Sequence, residues 1–319
     1  MRPKLVAVLA AVTLAVIVPR PSSGGGTILT KDVPDVSVAI RVPTTTAKAI
    51  REPPHTVAPK TVQRDAEPPA RVAAPVEQER AGLVREWHVL YAQSAGEERE
   101  PSSATPCPRA STCESYELRP ARWPTDDGGR AVIPFSYNDE GRRRARAPDG
   151  QLIPALRASM SEWSRWNSNI VFQDQGTTTA RFAADGADGT CDDGTNVVTW
   201  EKFDREVIGA AVLCFDKTGK VIRDADLALN STQHWETVSG EPESRHSHDI
   251  QSILTHELGH WLALEDLYSG TDARQTMFGN TAYGETRKRT LARGDALGIQ
   301  KAYPCGSGDR CPREGFKED

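Results

Sequence analysis

The stretch His-Glu-Leu-Gly-His, residues 256–260, constrains the fold of this chain more than any other feature. Two histidines four residues apart lie one turn above each other on a helix, and both imidazoles can then point at one ion. On such a helix Glu257 is rotated by about 100° from His256, which places its carboxylate beside the ion rather than on it. The motif H-E-x-x-H therefore predicts two zinc ligands, His256 and His260, and a general base, Glu257.

A catalytic zinc site usually has three protein ligands, so a third must be found. The nearest candidates downstream are Glu265 and Asp266. If the helix ran straight on, Asp266 would lie about 15 Å further along the axis than His256, out of reach of the metal. Asp266 can be a ligand only if the chain turns sharply after about Leu262, and such a turn normally uses Gly. Ala263 occupies that position, where a left-handed conformation costs about 1–2 kcal/mol.

The first residues of the chain predict export. Arg2 and Lys4 precede an apolar run at 5–18, and these 14 residues are fewer than the roughly 20 that a membrane span needs. The pattern is typical of a secretion signal, which we assign to residues 1–26. A retained membrane anchor is the alternative, because no clean A-x-A cleavage site is present.

The six cysteines fit an oxidising compartment, where disulfides persist. No C-x-x-C pair occurs, which argues against zinc ligation by cysteine. Proximity in the sequence favours three local disulfides: Cys107–Cys113, Cys191–Cys214 and Cys305–Cys311. We expect Cys191–Cys214 to join two strands of the catalytic sheet.

Composition divides the chain into segments. Residues 27–117 are rich in Pro and charge, and are expected to form a disordered propeptide or linker. Within them, four apolar residues recur at helical spacing and suggest either a short docking helix or a partly helical linker: Leu83, Trp87, Leu90 and Tyr91. Residues 118–304 form the predicted catalytic domain, and 305–319 a C-terminal tail. The formal net charge of −5, with basic residues spread along the chain, argues against a nucleic-acid partner.

Hydrophobic periodicity predicts an α+β domain, because helices and short strands succeed each other without a regular βαβ repeat. The second long helix is expected at 247–264, with Ser247 as its cap and Asp249 supporting its first turn. Further helices are predicted at 151–167 and about 289–302. Strands are predicted at 129–138, 170–173, 180–184, 196–200, 208–215 and 224–230.

The stretch HELGHWLALED, residues 256–266, resembles the metzincin pattern H-E-x-x-H-x-x-G-x-x-H/D. His256, Glu257, His260 and Asp266 match it position by position, and Ala263 stands where the pattern has Gly. An Asp at the last position is similar to the snapalysin-like members of the class.

Further downstream, RQTMFG, residues 274–279, resembles the metzincin Met-turn, which places a methionine, here Met277, beneath the zinc ligands. Stretches between Arg130 and Tyr303 resemble the matrixin-type bacterial metzincins. The resemblance implies a twisted mixed β-sheet packed with two long helices, one of them the active-site helix, followed by the Met-turn and a C-terminal helix.

The resemblance also implies a function. It points to a secreted zinc metalloendopeptidase, synthesised as a zymogen and expected to be a monomer. One catalytic zinc ion would activate water, and Glu257 would act as general base on protein or peptide substrates. In that family the strand matching DADLALN, residues 224–230, lies at the sheet edge above the cleft and pairs antiparallel with an extended substrate. Cys107 and Cys113 do not match the cysteine-switch sequence of animal matrixins.

Three alternatives stay open at this point. In gluzincins a Glu well downstream completes the zinc site, and Glu285 has that position here. A secreted binding module with a structural zinc is the alternative outside the enzymes. The Gly-rich loop at 185–195 offers oxygen ligands for calcium, although without the ordered spacing of an EF-hand a plain acidic loop is favoured. Its acidic residues are Asp185, Asp188, Asp192 and Asp193. The isolated histidines are expected to be surface residues: His234, His246 and His248.

Overall fold

The computed structural model describes the backbone of residues 76–78 and residues 82–92, 107–187, 189–237 and 246–306. The predicted signal peptide therefore lies outside the described residues. Three helices and ten strands follow in chain order: β1 (Val76–Gln78), β2 (Val84–Ala92), β3 (Ala131–Tyr137), α1 (Leu152–Ser164), β4 (Ile170–Thr177), β5 (Val197–Glu201), β6 (Val207–Phe215), β7 (Ile222–Asn230), β8 (Trp235–Glu236), β9 (His248–Asp249), α2 (Ile250–Trp261), β10 (Asn280–Thr281) and α3 (Arg293–Ala302). None of the described helices has the length and apolarity needed to cross a membrane.

Eight of these strands form one mixed sheet in the order β1-β2-β6-β7-β5-β3-β4, with β10 pairing beside β2. The adjacent pairs β4–β3, β3–β5 and β5–β7 are parallel. Strand β6 is antiparallel to both of its neighbours, β7 and β2. Strand β7 contains DADLALN and lies inside the sheet, between β6 and β5. The expectation that this segment lies at the edge of the sheet is therefore wrong, because β7 has a strand on each side and β6, β2 and β1 lie beyond it.

Helices α1 and α2 pack together through one indole hydrogen bond and apolar side chains. Trp163 of α1 donates through Nε1 to the carbonyl of Thr255, 2.8 Å away. Trp261 of α2 donates to the carbonyl of Asp226 on β7 at 3.1 Å, which connects α2 to the sheet. All residues of α2 except Gln251 are buried. A solvated His/Glu surface is thereby excluded for this helix, and the α+β prediction is confirmed.

Asp249 caps α2. Its side chain accepts a hydrogen bond from the backbone N–H of Ser252 at 2.7 Å, which satisfies one of the donors that every helix start exposes. Arg289 donates to the same carboxylate at 2.9 Å. The cap expected at Ser247 is therefore wrong by two residues.

Two other local expectations differ from the structure. Residues 180–184 form a turn rather than a strand, and Ala183 adopts a φ of +53° that a strand does not allow. Residues 84–92 were expected to be helical or disordered, yet β2 pairs with β6 along most of its length. Residues 84–92 are extended because they pair with the edge of β6, and such pairing depends on tertiary context rather than on local residue spacing.

Two of the three expected disulfides are present, Cys107–Cys113 and Cys191–Cys214. Cys214 lies on β6, but Cys191 lies in the loop before β5, so this bridge ties a loop to a strand rather than two strands. The predicted pair Cys305–Cys311 includes Cys311, which is outside the described residues.

Candidate active site

The histidines of α2 lie side by side in the interior. His256 and His260 are fully buried, and their ring centroids are 5.0 Å apart. His256 Nδ1 hydrogen-bonds the carbonyl of Thr276 at 2.8 Å, and His260 Nδ1 the carbonyl of Leu264 at 2.9 Å. Because a carbonyl only accepts, each Nδ1 carries the proton and each Nε2 keeps its lone pair. Both rings are therefore oriented as metal ligands require.

The chain turns directly after α2, as the sequence predicted. Ala263 has a φ of +68°, in the left-handed region, and the N–H of Leu264 donates back to the carbonyl of Gly259 at 3.0 Å. This turn returns Asp266 to the histidines. Asp266 Oδ1 lies 3.1 Å from His256 Nε2 and 3.6 Å from the Nε2 of His260.

These three residues offer a donor set that fits a zinc ion. The Nε2 atoms of His256 and His260 and the Oδ1 atom of Asp266 have no hydrogen-bond partner, although all three are buried. Buried polar atoms are almost always paired, so two unpaired nitrogen atoms next to one unpaired carboxylate oxygen indicate a missing partner. Two imidazoles and a carboxylate are ligands that zinc accepts in catalytic sites.

The protonation states fit as well. Burial, together with neighbouring histidines such as His88, holds the pKa of His260 well below its ordinary value. Burial acts to raise the pKa of Asp266, but His260 and His256 outweigh it and leave that pKa below its ordinary value. A neutral imidazole and an ionised carboxylate are the forms that bind metal.

Glu257 points to the sheet side of the same site. It is fully buried, and neither of its carboxylate oxygens has a hydrogen-bond partner in the described structure. Burial first, and then the charge of Asp266, raise its pKa well above the ordinary value. Gly209 on β6 makes room for it, since a Cβ at that position would lie 2.7 Å from Glu257 Oε1. The small residue therefore lets the carboxylate lie between α2 and the sheet.

Met277 lies in a turn against the opposite side of α2. A Cβ at Gly259 would lie 2.2 Å from Met277 Sδ, so the thioether occupies the space that this glycine leaves. The preceding residue, Thr276, supplies the carbonyl that orients His256. The turn thus contacts the histidine helix and positions one of its rings.

Comparison with known proteins identifies the class. Residues 147–304 match the family model of the matrixins, a range that contains α1, α2, the turn at Met277 and α3. The chain carries a zinc metalloendopeptidase domain of the metzincin type.

Other comparisons add little detail. Among solved structures, high choriolytic enzyme 1, a hatching-enzyme zinc protease from Oryzias latipes (medaka fish), matches with a TM-score of 0.30 and 12% sequence identity. The match covers 64% of this chain and 100% of that one. No curated protein matches the chain.

Two buried ionic residues of the metzincin domain were missed by the sequence reasoning. Lys288 is fully buried and donates through Nζ to the carbonyls of Thr276, at 2.9 Å, and Phe278. Asp295 accepts from the N–H groups of Thr276 at 2.8 Å and Met277 at 3.1 Å. Burial lowers the pKa of Lys288 to about 8. The two side chains hold the backbone of the methionine turn, but in the sequence Lys288 stands in a basic triplet that resembles solvated surface.

Residues proposed as alternatives lie elsewhere. Glu285 pairs with Arg287 at 2.7 Å and accepts from the N–H of Ala282 at 3.3 Å, and it is not among the carboxylates that approach the histidines. Glu265 pairs with Arg119 at 2.6 Å. The geometry therefore favours Asp266 over both.

The isolated histidines are not ligands of this site. His234 lies 3.0 Å from Arg146. His248 is buried, which corrects the expectation of a surface position, and its ring lies 4.5 Å from that of Tyr283. The ring of His246 lies 6.3 Å from Tyr283.

The acidic loop contacts two strands of the sheet, β2 and β7. Asp185 forms an ion pair with Arg85 of β2, and Asp193 lies close enough to Asp224 of β7 that the two carboxyls shift each other's pKa. Asp188 lies outside the described residues. Among the described residues, no group of three potential metal ligands forms in this loop.

A further histidine enters the site from β2. The potential ligand atoms of His88, His260 and Asp266 lie within 4.8 Å of one another. Nothing in the sequence indicated this, since a single histidine in a Pro-rich region has no motif around it.

Proposed function

We propose that the chain is a secreted zinc endopeptidase in which His256, His260 and Asp266 bind the catalytic zinc ion and Glu257 is the general base. The observation that carries the proposal is that the buried, unpartnered Nε2 atoms of the two histidines lie 3.1 and 3.6 Å from the unpartnered Asp266 Oδ1, beside the buried carboxylate of Glu257. The aspartate makes the ligand set similar to that of the snapalysin-like metzincins. Met277 is the proposed Met-turn residue.

Peptide hydrolysis needs a nucleophile, a base and a proton donor. When bound, zinc supplies a Lewis acid that polarises the scissile carbonyl and increases the acidity of water. Glu257 takes a proton from the attacking water while the oxygen of that water forms a bond to the carbonyl carbon. The C–N bond then breaks, and Glu257 passes that proton to the leaving amine. Its raised pKa suits a group that must both accept and release a proton.

The substrate is a protein or peptide in extended conformation. Strand β6 carries Gly209 next to Glu257. The edge of β6 that pairs with β2 in this structure would align a substrate backbone beside the base in the mature domain, from which the proposed propeptide and its β2 are absent. We expect antiparallel pairing, with β6 in the role that the sequence reasoning gave to β7. A monomer satisfies this arrangement, because α2 and the segment that follows it supply all the residues of the proposed site.

Export and processing belong to the same proposal. The N-terminal signal at 1–26 would direct secretion, and the two disulfides fit an oxidising compartment. We propose that the catalytic domain begins near residue 118 and ends near residue 304, after a propeptide. Calcium binding by the acidic loop stays a prediction, in which Asp193 would act with Asp224 of β7.

The test separates ligands from base. Protein purified after export, so that processing has occurred, should contain about one zinc ion per chain and cleave casein until a chelator is added. Glu257→Gln should retain the zinc ion and lose activity by at least about a hundredfold, because it removes only the proton acceptor. Metal content by mass spectrometry and casein hydrolysis measure both. Full activity in Glu257→Gln would overturn the mechanism.

A further inference from the structure

Strand β2 lies where an extended substrate would lie. It pairs antiparallel with β6 from Val84 opposite Phe215 to Tyr91 opposite Val207. Its C-terminal residues also pair in parallel with β10, which follows the turn at Met277. The strand therefore lies between the two backbone segments that border the active site, and runs antiparallel to β6, as proposed for a substrate.

The side chain of His88 points from this strand into the zinc site. It is 5% exposed, and its ring stacks on that of His260 with centroids 4.2 Å apart and an angle of 21° between the planes. Its Nε2 has no hydrogen-bond partner. A buried imidazole nitrogen without a partner, next to the unpaired donors of His260 and Asp266, has the surroundings of a ligand rather than of a core residue.

Protein partners do not account for this orientation. Glu86 is the acid nearest to His88, but its Oε1 lies 3.8 Å from Nε2, beyond hydrogen-bond distance. Glu86 pairs instead with Arg119, which also pairs with Glu265. The ligand atoms of both glutamates lie within 4.8 Å of that of His88, but Arg119 offsets their charge. The unpaired donors near His88 are those of His260 and Asp266.

We propose that His88 is a fourth protein ligand of the zinc ion and that β2 holds the enzyme latent by filling the substrate groove. The inference rests on the proposed zinc site. Three protein ligands leave a position open for chemistry, whereas four protein ligands make a closed site of the structural type. With His88 bound, water has no position on the metal, and with β2 in the groove a substrate has no access to Glu257.

Residues on either side of His88 hold the strand in place. Arg85 forms an ion pair with Asp185 of the acidic loop. The ring of Trp87 meets that of Phe182 edge-on at 5.4 Å, and Leu90 is fully buried. The strand is therefore bound on both faces, and activation requires its removal rather than a change at His88 alone.

Cobalt substitution in the full chain tests the ligand directly, because the visible absorption of Co²⁺ reports its ligands without any activity assay. Wild-type protein loaded with one Co²⁺ per chain should show a spectrum that azide leaves unchanged. His88→Ala should shift the bands and make the spectrum respond to azide, which fits the space that the ring vacates. Val89→Ala, on the opposite face of the same strand, is the matched control and should behave like wild type.

Two results would overturn the inference: a His88→Ala spectrum identical to that of wild type, or a wild-type spectrum that responds to azide as His88→Ala does. His88→Gln, which keeps the side-chain volume, replaces His88→Ala if the latter does not fold. If the exported protein passes the Glu257→Gln test while His88→Ala leaves the cobalt spectrum unchanged, only the latency inference fails. If no variant and no wild-type protein binds Co²⁺, the proposed zinc site fails with it.

Discussion

At the scale of single residues, Ala263 determines whether Asp266, the proposed third ligand, can approach the two histidines of α2. Its φ of +68° ends α2 and returns the chain, so that Asp266 approaches His256 and His260. An alanine in this region is strained by about 1–2 kcal/mol because its Cβ approaches the following carbonyl. The strain is tolerated because the turn is fixed by backbone hydrogen bonds and Ala263 is fully buried.

Replacing this alanine by glycine should relieve the strain. Ala263→Gly is expected to leave the free energy of unfolding unchanged or raise it by up to about 1 kcal/mol, because the relief exceeds or balances the extra chain entropy and the lost methyl contact. Ala296→Gly, inside α3 and equally buried, is the control and should destabilise by about 1 kcal/mol. Urea denaturation measures both. Equal losses in the two variants would contradict the left-handed turn.

At the scale of elements, strand β7 contains two buried carboxyl groups. Asp224 and Asp226 are both buried, and Asp224 Oδ2 has no hydrogen-bond partner. Burial raises the pKa of Asp224, and the neighbouring Asp226 and Asp193 raise it further. The pKa of Asp226 is raised by burial despite the N–H groups of Val197 and Ala183 that donate to it.

These shifts predict a pH dependence of stability. The folded state binds protons on these carboxyls more tightly than the unfolded state, whose aspartates titrate near pH 3.9. The free energy of unfolding should therefore fall as pH rises above about 4. Asp224→Asn should weaken that fall and raise stability at pH 8 by at least about 1.4 kcal/mol, the equivalent of one pKa unit.

Thermal unfolding between pH 5 and pH 9 measures the effect, with the exposed Asp127→Asn as the matched control. A wild-type stability that rises steadily over this range would contradict the raised pKa values. Added calcium chloride extends the test to the acidic loop, because a bound cation favours ionised carboxylates and would remove the decline.

At the scale of the whole molecule, the sequence predicted the parts that local pattern determines. Helix α2 and its ligand spacing follow from residues close in the chain, so His256, Glu257, His260 and the turn to Asp266 were accessible before the structure. The position of β2 beside β6 and α2 could not be predicted from the sequence. Of the four apolar residues at helical spacing, only Leu90 is buried, and the inward face also carries Glu86 and His88. That face has meaning only beside β6 and α2, which are distant in sequence.

Distance in the sequence also explains why the residues that hold the methionine turn were missed. Lys288 and Asp295 act through backbone groups of the methionine turn, and no spacing rule links them to it. What sequence reasoning missed is therefore the set of contacts made between distant segments, whereas the segment proposed to bind the metal follows from local spacing.

The most direct test of the proposed zinc site is the zinc content of two variants made in a His88→Ala background, where His88 cannot replace a lost ligand. Asp266→Ala should lose zinc, because only His256 and His260 then remain. Glu285→Ala should keep about one zinc ion per chain, since Glu285 pairs with Arg287 away from the histidines. Metal analysis after dialysis decides between them. Zinc retained by Asp266→Ala and lost from Glu285→Ala would contradict the account.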